Sequence, residues 1–433
     1  MMFLPQTALA AGAESTAGSP LWMAVPFVLL LGAIALGPTV GPGWWGRNYP
    51  LVCFGLSAIV IALYLGKPGG PHALLEAATD YASFIMLIGS LFIVSSGVWI
   101  QINRPATPML NTALLFCGAI LSNLLGTTGA SMLLIRPYLS INRERLRGYH
   151  LVFFIFIVSN IGGLLTPIGD PPLFLGYLKG VPFFWVFRAV WPIWLLALGF
   201  LLTLFFLIDS RAALRNGRPA GSAQGAQRGL QIKMVGLHQF ALLGIIIGAI
   251  FLRSPFREAM ILAAAVVSYL TASRKAYEGN QFDFAPIREV AILFFAIFIT
   301  MTPALQWLSA HAHELSLSHP GDFFWGSGFL SSVLDNAPTY LNFYTVILGR
   351  DPAHSIDSIL ASSGLFIQAI SVGSVFFGAN TYIGNGPNFM VKSVAEQAGM
   401  KPPSFMGYIV RYAIPILFPL YLCIWILFFR GAP

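Results

Sequence analysis

The sequence predicts an all-α polytopic membrane protein in which an inverted structural repeat contains two re-entrant helical hairpins and two broken transmembrane helices. Three observations support this fold class. Charged residues make up 9% of the 433 residues and hydrophobic residues 57%, whereas soluble domains contain roughly 25% charged residues. Many apolar segments are long enough to cross a bilayer. Two pairs of interrupted apolar segments also recur along the chain.

The uninterrupted segments predict plain transmembrane helices, because about 20 apolar residues cross roughly 30 Å of hydrocarbon. These segments are 21–37, 50–66, 82–101, 185–208, 237–252, 258–272, 290–309 and 405–428. Residues 1–20 are expected to be an N-terminal tail or the remnant of a leader, with the N-terminus outside. We therefore expect a multi-pass protein of the bacterial inner (cytoplasmic) membrane, with the lipid bilayer as a partner.

Two further segments are apolar at their ends but polar at their centres. Residues 111–139 contain LSNLLGTTGAS, and residues 323–348 contain SSVLDNAPTYLNF. Each half is too short to cross the bilayer, so each segment predicts two half-helices that meet at a polar tip. Irregular backbone at this depth is tolerated only where it lines a cavity or is buried in protein.

Another pair of segments is interrupted by glycine and proline. Residues 150–178 contain NIGGLLTPIGDPP, and residues 361–397 contain FFGANTYIGNGPN. Proline removes an N–H donor and clashes with the preceding turn, so each helix is expected to open there. The freed carbonyl and amide groups then become available as ligands.

These four elements form an internal duplication. Residues 163–172 align with residues 378–387 at an offset of 215, and the tip residues 121–123 align with 334–336 at an offset of 213. The predicted organisation is therefore a first half with one hairpin and one broken helix, a cytoplasmic linker, and a second half with the same two elements. The boundaries of these three parts are 21–208, 209–236 and 237–433.

Charge indicates that the two hairpins enter from opposite faces. The first hairpin is flanked by Arg104 and by Arg143, Arg145 and Arg147, which predicts a cytoplasmic position. The second hairpin is preceded by HAHELSLSHPGD, which has no Lys or Arg. Opposite entry is what an inverted repeat requires.

Asp170 and Asp335 are the acidic residues expected to carry the chemistry. An ionisable group at mid-membrane is costly and usually functional, and a carboxylate can hold a proton or a sodium ion. The alternative role is helix capping in a cavity wall. The residues expected to hold sodium are Ser122, Asn123, Asp170, Asp335 and Asn336.

The other candidate ligands are short polar side chains and opened backbone. Hard cations prefer oxygen ligands, and the N-termini of half-helices attract anionic groups. The alternative roles are interhelical hydrogen bonding for Ser, Thr and Asn, and close packing for Gly. The predicted ion- or substrate-binding residues are Ser122, Asn123, Thr127, Thr128, Asn160, Thr166, Gly169, Asp170, Asp335, Asn336, Thr339, Asn380, Thr381, Gly384, Asn385 and Asn388.

Several function classes are disfavoured. The sequence contains no HExxH, GxSxG, P-loop or GxGxxG motif, so neither an enzyme nor an ATP-driven pump is expected. The net charge of +8 comes from basic residues between apolar segments rather than on one wettable face, which argues against nucleic-acid binding. We expect no cofactor other than sodium or a proton as the coupling ion. A homodimer is a further possible partner.

The motifs SNLLGTTGAS and TPIGDPP, together with LDNAPT and GANTYIGNGPN, resemble the ion-transporter superfamily over residues 80–430. That superfamily includes citrate and dicarboxylate transporters, arsenite exporters and one class of sodium/proton antiporters. The resemblance implies a midplane site between hairpins and unwound helices, with Asn123, Asn160 and Asp170 at functional polar positions. The chain differs from the antiporters at Ser122, where they tend to have Asp, and after Asp170, where prolines replace threonines.

Two transport functions follow from this resemblance and from the paired carboxylates. The favoured function is sodium/proton antiport, because two buried carboxylates suit competition between H⁺ and Na⁺ for one site that alternates between the two faces. The second is cation-coupled transport of citrate or a dicarboxylate, in which helix N-termini and amide groups hold the anion. The transported partner is thus a small inorganic ion or an organic anion. A channel or membrane scaffold is a third expectation, and it would show no coupling to a gradient.

Overall fold

The computed structural model describes residues 19–102, 106–215, 232–351 and 355–431. Most of the predicted leader and the centre of the predicted linker lie outside these residues. Within them the chain is almost entirely helical. The helices of the first half are α1 (Val25–Val40), α2 (Pro42–Leu65), α3 (Gly70–Ser96), α4 (Pro108–Ile141), α5 (Gly148–Ile157), α6 (Pro171–Leu178) and α7 (Phe183–Arg215).

The second half contains the same kinds of helix. They are α8 (Gln239–Ala249), α9 (Phe256–Thr271), α10 (Arg274–Asn280), α11 (Ala285–Ala310), α12 (Pro320–Ser331), α13 (Asn336–Arg350), α14 (Ile356–Ser362), α15 (Gly364–Phe377), α16 (Gly386–Gln397) and α17 (Phe405–Phe429). Short 3₁₀ turns occur at Leu21–Ala24, Ile161–Leu165, Ala312–Glu314 and Gly378–Asn380.

The prediction of an all-α polytopic membrane protein is confirmed. Eight helices of the described residues are long and apolar enough to cross a membrane, or up to ten if each sharply bent pair is one span. Their outward faces carry many exposed Leu, Val, Phe and Ile side chains, as expected of surfaces that face lipid. The chain is therefore a multi-pass membrane protein.

The first hairpin is the 34-residue helix α4, which folds back on itself at Gly126. Gly126 has φ 73° and ψ 157°, a conformation that interrupts the helix. A straight helix of this length would extend about 51 Å. Instead Asn111 and Asn142, near its two ends, exchange side-chain amide hydrogen bonds of 2.9 and 2.8 Å. The arms 108–125 and 127–141 therefore lie side by side.

The second hairpin consists of α12 and α13, joined by a tip at residues 332–335. The rings of Phe323 and Phe343, on opposite arms, lie 6.0 Å apart. At the end of α13, Arg350 donates to the carbonyl oxygen of Ala312, which precedes α12 (2.9 Å). The two arms thus pack against each other from foot to tip, where the foot is the end away from the tip.

Each broken helix consists of a first helix, a 3₁₀ turn, an opened stretch and a second helix. The first runs from α5 through residues 158–170 to α6, and the second runs from α15 through residues 378–385 to α16. Pro171 and Pro387 stand in the first turns of α6 and α16. Proline is well accommodated there, because its missing N–H would have no helical partner in any case.

The two halves run in opposite directions. α5 begins just after the foot of the first hairpin, and α6 ends at Leu178. The carbonyl of the next residue, Lys179, accepts a hydrogen bond from Tyr344 near the foot of the second hairpin (2.9 Å). α16 ends at Gln397, which lines a cavity with Ser140 at the foot of the first hairpin. Each broken helix therefore joins the foot of one hairpin to the foot of the other, and the repeat is inverted.

The structure differs from the sequence prediction at the linker. α7 continues seven residues past the predicted boundary at 208, to Arg215. Residues Ile232–Val235 form a strand that pairs antiparallel with Trp99–Ile102. The predicted linker 209–236 therefore contains the end of a helix and one strand of a two-stranded ribbon, on either side of residues 216–231.

Candidate functional site

The first hairpin tip and the first opened stretch are fastened to each other through backbone. The Thr127 amide donates to the carbonyl oxygen of Gly169 (2.8 Å). Gly163 and Gly169 lie so close that a Cβ atom on Gly169 would overlap the carbonyl oxygen of Gly163. Glycine is required where two backbones approach this closely. This contact holds Asp170, the next residue, against the hairpin tip.

Asp170 lies at the meeting point of both halves and is 1% exposed. Its Oδ1 accepts hydrogen bonds from the Thr127 hydroxyl (2.8 Å) and the Asn385 amide (3.2 Å). Its Oδ2 accepts a bond from the Asn336 amide (2.7 Å). These donors come from the first tip, the second opened stretch and the second tip. All three donors are neutral, and Asp170 is absent from the ion pairs of the described residues.

A chain of asparagines extends from Asp170 between the two opened stretches. Asn385 also donates to Asn160 Oδ1 (3.2 Å), and Asn160 donates to Asn388 Oδ1 (2.7 Å). Asn388 in turn donates to the carbonyl oxygens of Gly378 (2.8 Å) and Thr381 (2.9 Å). Six of the predicted residues thus form one connected network: Thr127, Asn160, Asp170, Asn336, Asn385 and Asn388.

Other predicted residues fasten each tip to its own opened stretch. Asn123 donates to the Gly162 carbonyl (2.7 Å), and its own backbone carbonyl accepts from Thr166 (2.7 Å). Ser122 donates to the carbonyl oxygens of Gly118 (2.8 Å) and Val158 (2.7 Å). Of the five residues predicted to hold sodium, only Asp170 and Asn336 contact each other directly through their side chains.

The second half repeats this arrangement. Thr381 donates to the backbone carbonyl of Ser332 (2.7 Å), and Asn380 donates to the Ser332 hydroxyl (2.8 Å). Gly384 donates to the Thr381 hydroxyl (2.9 Å), as Gly169 does to that of Thr166 (3.2 Å). The duplicated opened stretches therefore keep the predicted offset of 215.

The hairpin tips correspond differently from the sequence alignment. Because Thr166 bonds to Asn123 and Thr381 bonds to Ser332, Asn123 is equivalent to Ser332, at an offset of 209 rather than 213. At the same offset Thr127 corresponds to Asn336, and both side chains donate to Asp170. The alignment of Asn123 with Asn336 was wrong because it paired residues of the same type, whereas the equivalent residues in the fold are those that make the same hydrogen bonds.

Asp335 occupies a different position from Asp170. It is half-buried at the second tip, and its Oδ1 accepts the Ala337 amide (3.2 Å), which makes it the N-cap of α13. Thr339 donates to its backbone carbonyl (3.1 Å). This geometry fits helix capping, the alternative role that the sequence analysis gave for Asp335. The cap places the side chain of the next residue, Asn336, against Asp170.

Several half-helices begin around this cluster. Asp170, Asp335 and Asn385 are the N-cap residues of α6, α13 and α16, and the second arm of α4 begins at Thr127. Helix N-termini carry partial positive charge from unpaired amide groups. Four such ends converge on one buried carboxylate, so the site can hold negative charge or a cation–anion pair.

The space beside Asp170 is small. A cavity of about 20 Å³ is bounded by Thr127, Thr128, Gly169 and Asp170, and on the other side by Leu91 of α3. Such a volume suffices for about one water molecule or a small cation. The site is therefore closed to larger molecules in this conformation.

Three serines belong to this arrangement although the sequence did not single them out. Ser331 donates to Asn336 Oδ1 (2.6 Å) and orients its amide. Ser159 supplies a carbonyl oxygen to Asn385 (3.0 Å), and Ser332 has the role of Asn123 in the second half. The signal that could have found Ser331 and Ser332 is their offset of 209 from Ser122 and Asn123.

A second buried polar cluster, also unforeseen, lies at the foot of the first hairpin. Asp209 of α7 is fully buried and forms an ion pair with Arg145. It also accepts hydrogen bonds from Tyr149 (2.7 Å) and Asn111 (3.0 Å), and His150 Nε2 lies 3.3 Å away. Asp209 thus fastens both the hairpin and the first broken helix to α7.

The two inverted halves each contain a hairpin and a broken helix, and together they enclose one buried carboxylate. This arrangement defines a secondary transporter. The model of a family described as "Putative citrate transport" matches residues 16–429, and the chain belongs to this family, which is a member of the ion transporter superfamily. The resemblance that the motifs indicated is thereby confirmed. The comparison with curated proteins finds no match.

Proposed function

We propose that this protein transports citrate or a related multicarboxylate anion, coupled to the movement of a cation, by alternating access at the Asp170 site. The family description supports the anion, and it favours this function over sodium/proton antiport. In this proposal the protein lies in a bacterial inner membrane, with the foot of the first hairpin toward the cytoplasm.

The observation that carries the proposal is the convergence of helix N-termini and amide donors on Asp170. Asn336 and Asn385 both direct side-chain N–H groups at this carboxylate. A carboxylate of the substrate needs the same donors. In the closed site, Asp170 therefore accepts the hydrogen bonds that would otherwise hold the anion.

This competition supplies a mechanism for coupling. When a proton or Na⁺ binds Asp170, its carboxylate is neutralised and its hold on the amide groups of Asn336 and Asn385 weakens. These donors, with the partial positive charge of the helix ends, then become available to the substrate. Anion binding without the cation would place two negative groups against one set of donors, which is costly in a buried site.

Sodium/proton antiport is the second candidate, and one observation favours it. The closed cavity beside Asp170 has room for a small cation but not for citrate. In an antiporter, H⁺ and Na⁺ would alternate on Asp170 without any organic anion.

The experiment that separates the two uses purified protein in proteoliposomes. We expect uptake of radiolabelled citrate that is driven by an imposed Na⁺ or H⁺ gradient and competed by unlabelled multicarboxylates. Proton movement driven by a sodium gradient, in the complete absence of organic anion, would instead support antiport. Saturable citrate uptake against the electrochemical gradient of citrate also excludes a channel, because flux through a channel would only follow that gradient.

A further inference from the structure

A large cavity opens at the foot of the first hairpin. It has a volume of about 760 Å³, within the roughly 300–1,000 Å³ typical of small-molecule sites. Its lining comes from both halves of the protein: the foot of α4 and the following turn, the end of α10, and the end of α16 with the segment after it. The polar side chains of the lining include Arg136, Arg143, Arg147, Gln281, Gln397 and Lys401.

The charged residues of this lining are all basic. Three arginines and one lysine face the cavity, and its lining contains no Asp or Glu. Glu396, one residue before Gln397, is engaged with Lys392 (3.0 Å). A cleft lined by one sign of charge concentrates the field and raises the local concentration of counter-ions.

Arg136 is the least exposed of these cations. It is half-buried on the second arm of α4, five residues before the arm ends. Its guanidinium donates to Gln281 Oε1 (3.2 Å), and it forms no ion pair within the described part of the chain. A half-buried guanidinium without a carboxylate partner is suited to a planar carboxylate ligand.

The positive-inside rule alone does not account for this arrangement. Arg211, Arg215 and Arg274 are on the same face but do not line the cavity, and Arg274 is paired with Glu278 (2.8 Å). The cavity residues, in contrast, gather from the two repeats around one concave space.

The cavity also lies at the ends of two half-helices that begin at the Asp170 site. The second arm of α4 runs from Thr127 to the foot, and α16 runs from Gly386 to Gln397. A helix of 12 residues spans about 18 Å. The cavity is therefore roughly half a bilayer away from a site whose own cavity admits no more than a small ion.

We infer that this basic cavity is a docking site for a free multicarboxylate anion, the first position that the substrate occupies on this face before the midplane site opens. The inference rests on the proposed function for the identity of the anion. The docked anion is held by Arg136, Arg143 and Lys401, and Gln281 and Gln397 offer amide donors at the rim.

The test measures equilibrium binding of radiolabelled citrate to the full-length protein in nanodiscs of zwitterionic lipid, in a background of Asn336→Ala and Asn385→Ala that removes the amide donors of the midplane site. The cavity variant adds Arg136→Gln, Arg143→Gln and Lys401→Gln. Arg147 is left unchanged because it is the N-cap residue of α5, where its backbone N–H donates to His150 Nδ1 (3.2 Å). The matched control adds Arg211→Gln, Arg215→Gln and Arg274→Gln, which remove the same charge from the same face.

We expect the control to bind citrate as the background protein does and the cavity variant to bind at least about tenfold more weakly. Binding should also weaken between 0.1 M and 1 M salt, because the screening length falls from about 10 Å to about 3 Å. Equal affinities in the cavity variant and the control would overturn the inference. So would loss of citrate binding in nanodiscs that contain anionic lipid, since the cavity would then be a lipid headgroup site.

The two proposals fail separately. If citrate binds the cavity but gradient-driven uptake is absent, the docking site stands and the transport function is wrong. If uptake is present but the cavity variant binds citrate as the control does, the transport function stands and the docking site is wrong.

Discussion

The Asp170 carboxylate of the first half accepts a 2.7 Å hydrogen bond from the Asn336 side chain of the second half. The two residues are 166 positions apart, and each follows directly on a break in a helix. Their contact is the point at which the inverted repeats meet. Changes at this contact and at its supports therefore give the most informative tests.

Thr127→Ala removes one of the three donors to Asp170, whereas Thr127→Ser keeps the hydroxyl. Because hydrogen bonds to charged groups contribute about 1.5–3 kcal/mol, we expect Thr127→Ala to lower the free energy of unfolding by this amount. Thr127→Ser should retain most of it. Thermal unfolding of both variants in the same detergent measures the difference, and equal stability of the two would show that the hydroxyl of Thr127 does not stabilise the Asp170 carboxylate.

Gly126→Ala tests the hairpin turn. Gly126 has φ 73°, and a side chain at such a position costs about 1–3 kcal/mol. We expect a lower unfolding temperature and reduced transport. Gly199→Ala in α7 is the matched control, because a Cβ atom there meets nothing within 4 Å and alanine favours a helix by roughly 0.5–1 kcal/mol. Equal stability of the two variants would show that the fold does not depend on the break in α4 at Gly126.

Gly169→Ala tests the close approach of the opened backbone. The new Cβ atom would overlap the Gly163 carbonyl oxygen and push Asp170 away from Thr127. We expect citrate uptake to be lost even where the protein can be purified. Gly386→Ala lies beside the second break and has open space around its Cβ position, so it should retain transport. Normal uptake by Gly169→Ala would contradict the described geometry.

Asp209→Asn breaks the buried ion pair with Arg145. Removal of one partner of a buried pair costs about 3–5 kcal/mol, because the other charge is left without compensation. We therefore expect a large drop in the unfolding temperature. Glu278→Gln, which removes the carboxylate of an exposed pair, should change it little. Comparable effects of the two substitutions would mean that the Asp209 cluster does not fasten the hairpin to α7.

The architecture could be predicted from the sequence because the helix breaks contain residue types with strong backbone preferences. Gly126 needs a positive φ, and Pro171 and Pro387 restart helices after the opened stretches. The charge pattern around Arg143, Arg145 and Arg147 predicted opposite entry of the hairpins, and the packing of the hairpin feet confirms it.

The details that escaped prediction depend on tertiary contacts. α7 was expected to end at 208, where the apolar segment stops, yet the helix continues, since Arg145, Tyr149 and Asn111 satisfy Asp209. The hairpin tips were aligned on Asn123 and Asn336 because both are Asn. The backbone carbonyl of any residue type can accept such a hydrogen bond. Residue identity is therefore a poor guide to these contacts.

The most direct test of the account is the electrical current that a citrate concentration jump produces in proteoliposomes adsorbed on a solid-supported membrane. We compare the unaltered protein with Asp170→Asn, and with Asp357→Asn as an exposed-carboxylate control. The account predicts that the current depends on the cation in the unaltered protein and in the control, and that this dependence falls at least about tenfold in Asp170→Asn, because the neutral side chain frees the donors without a cation. A citrate-evoked current from Asp170→Asn that depends on the cation as strongly as that of the unaltered protein would contradict it.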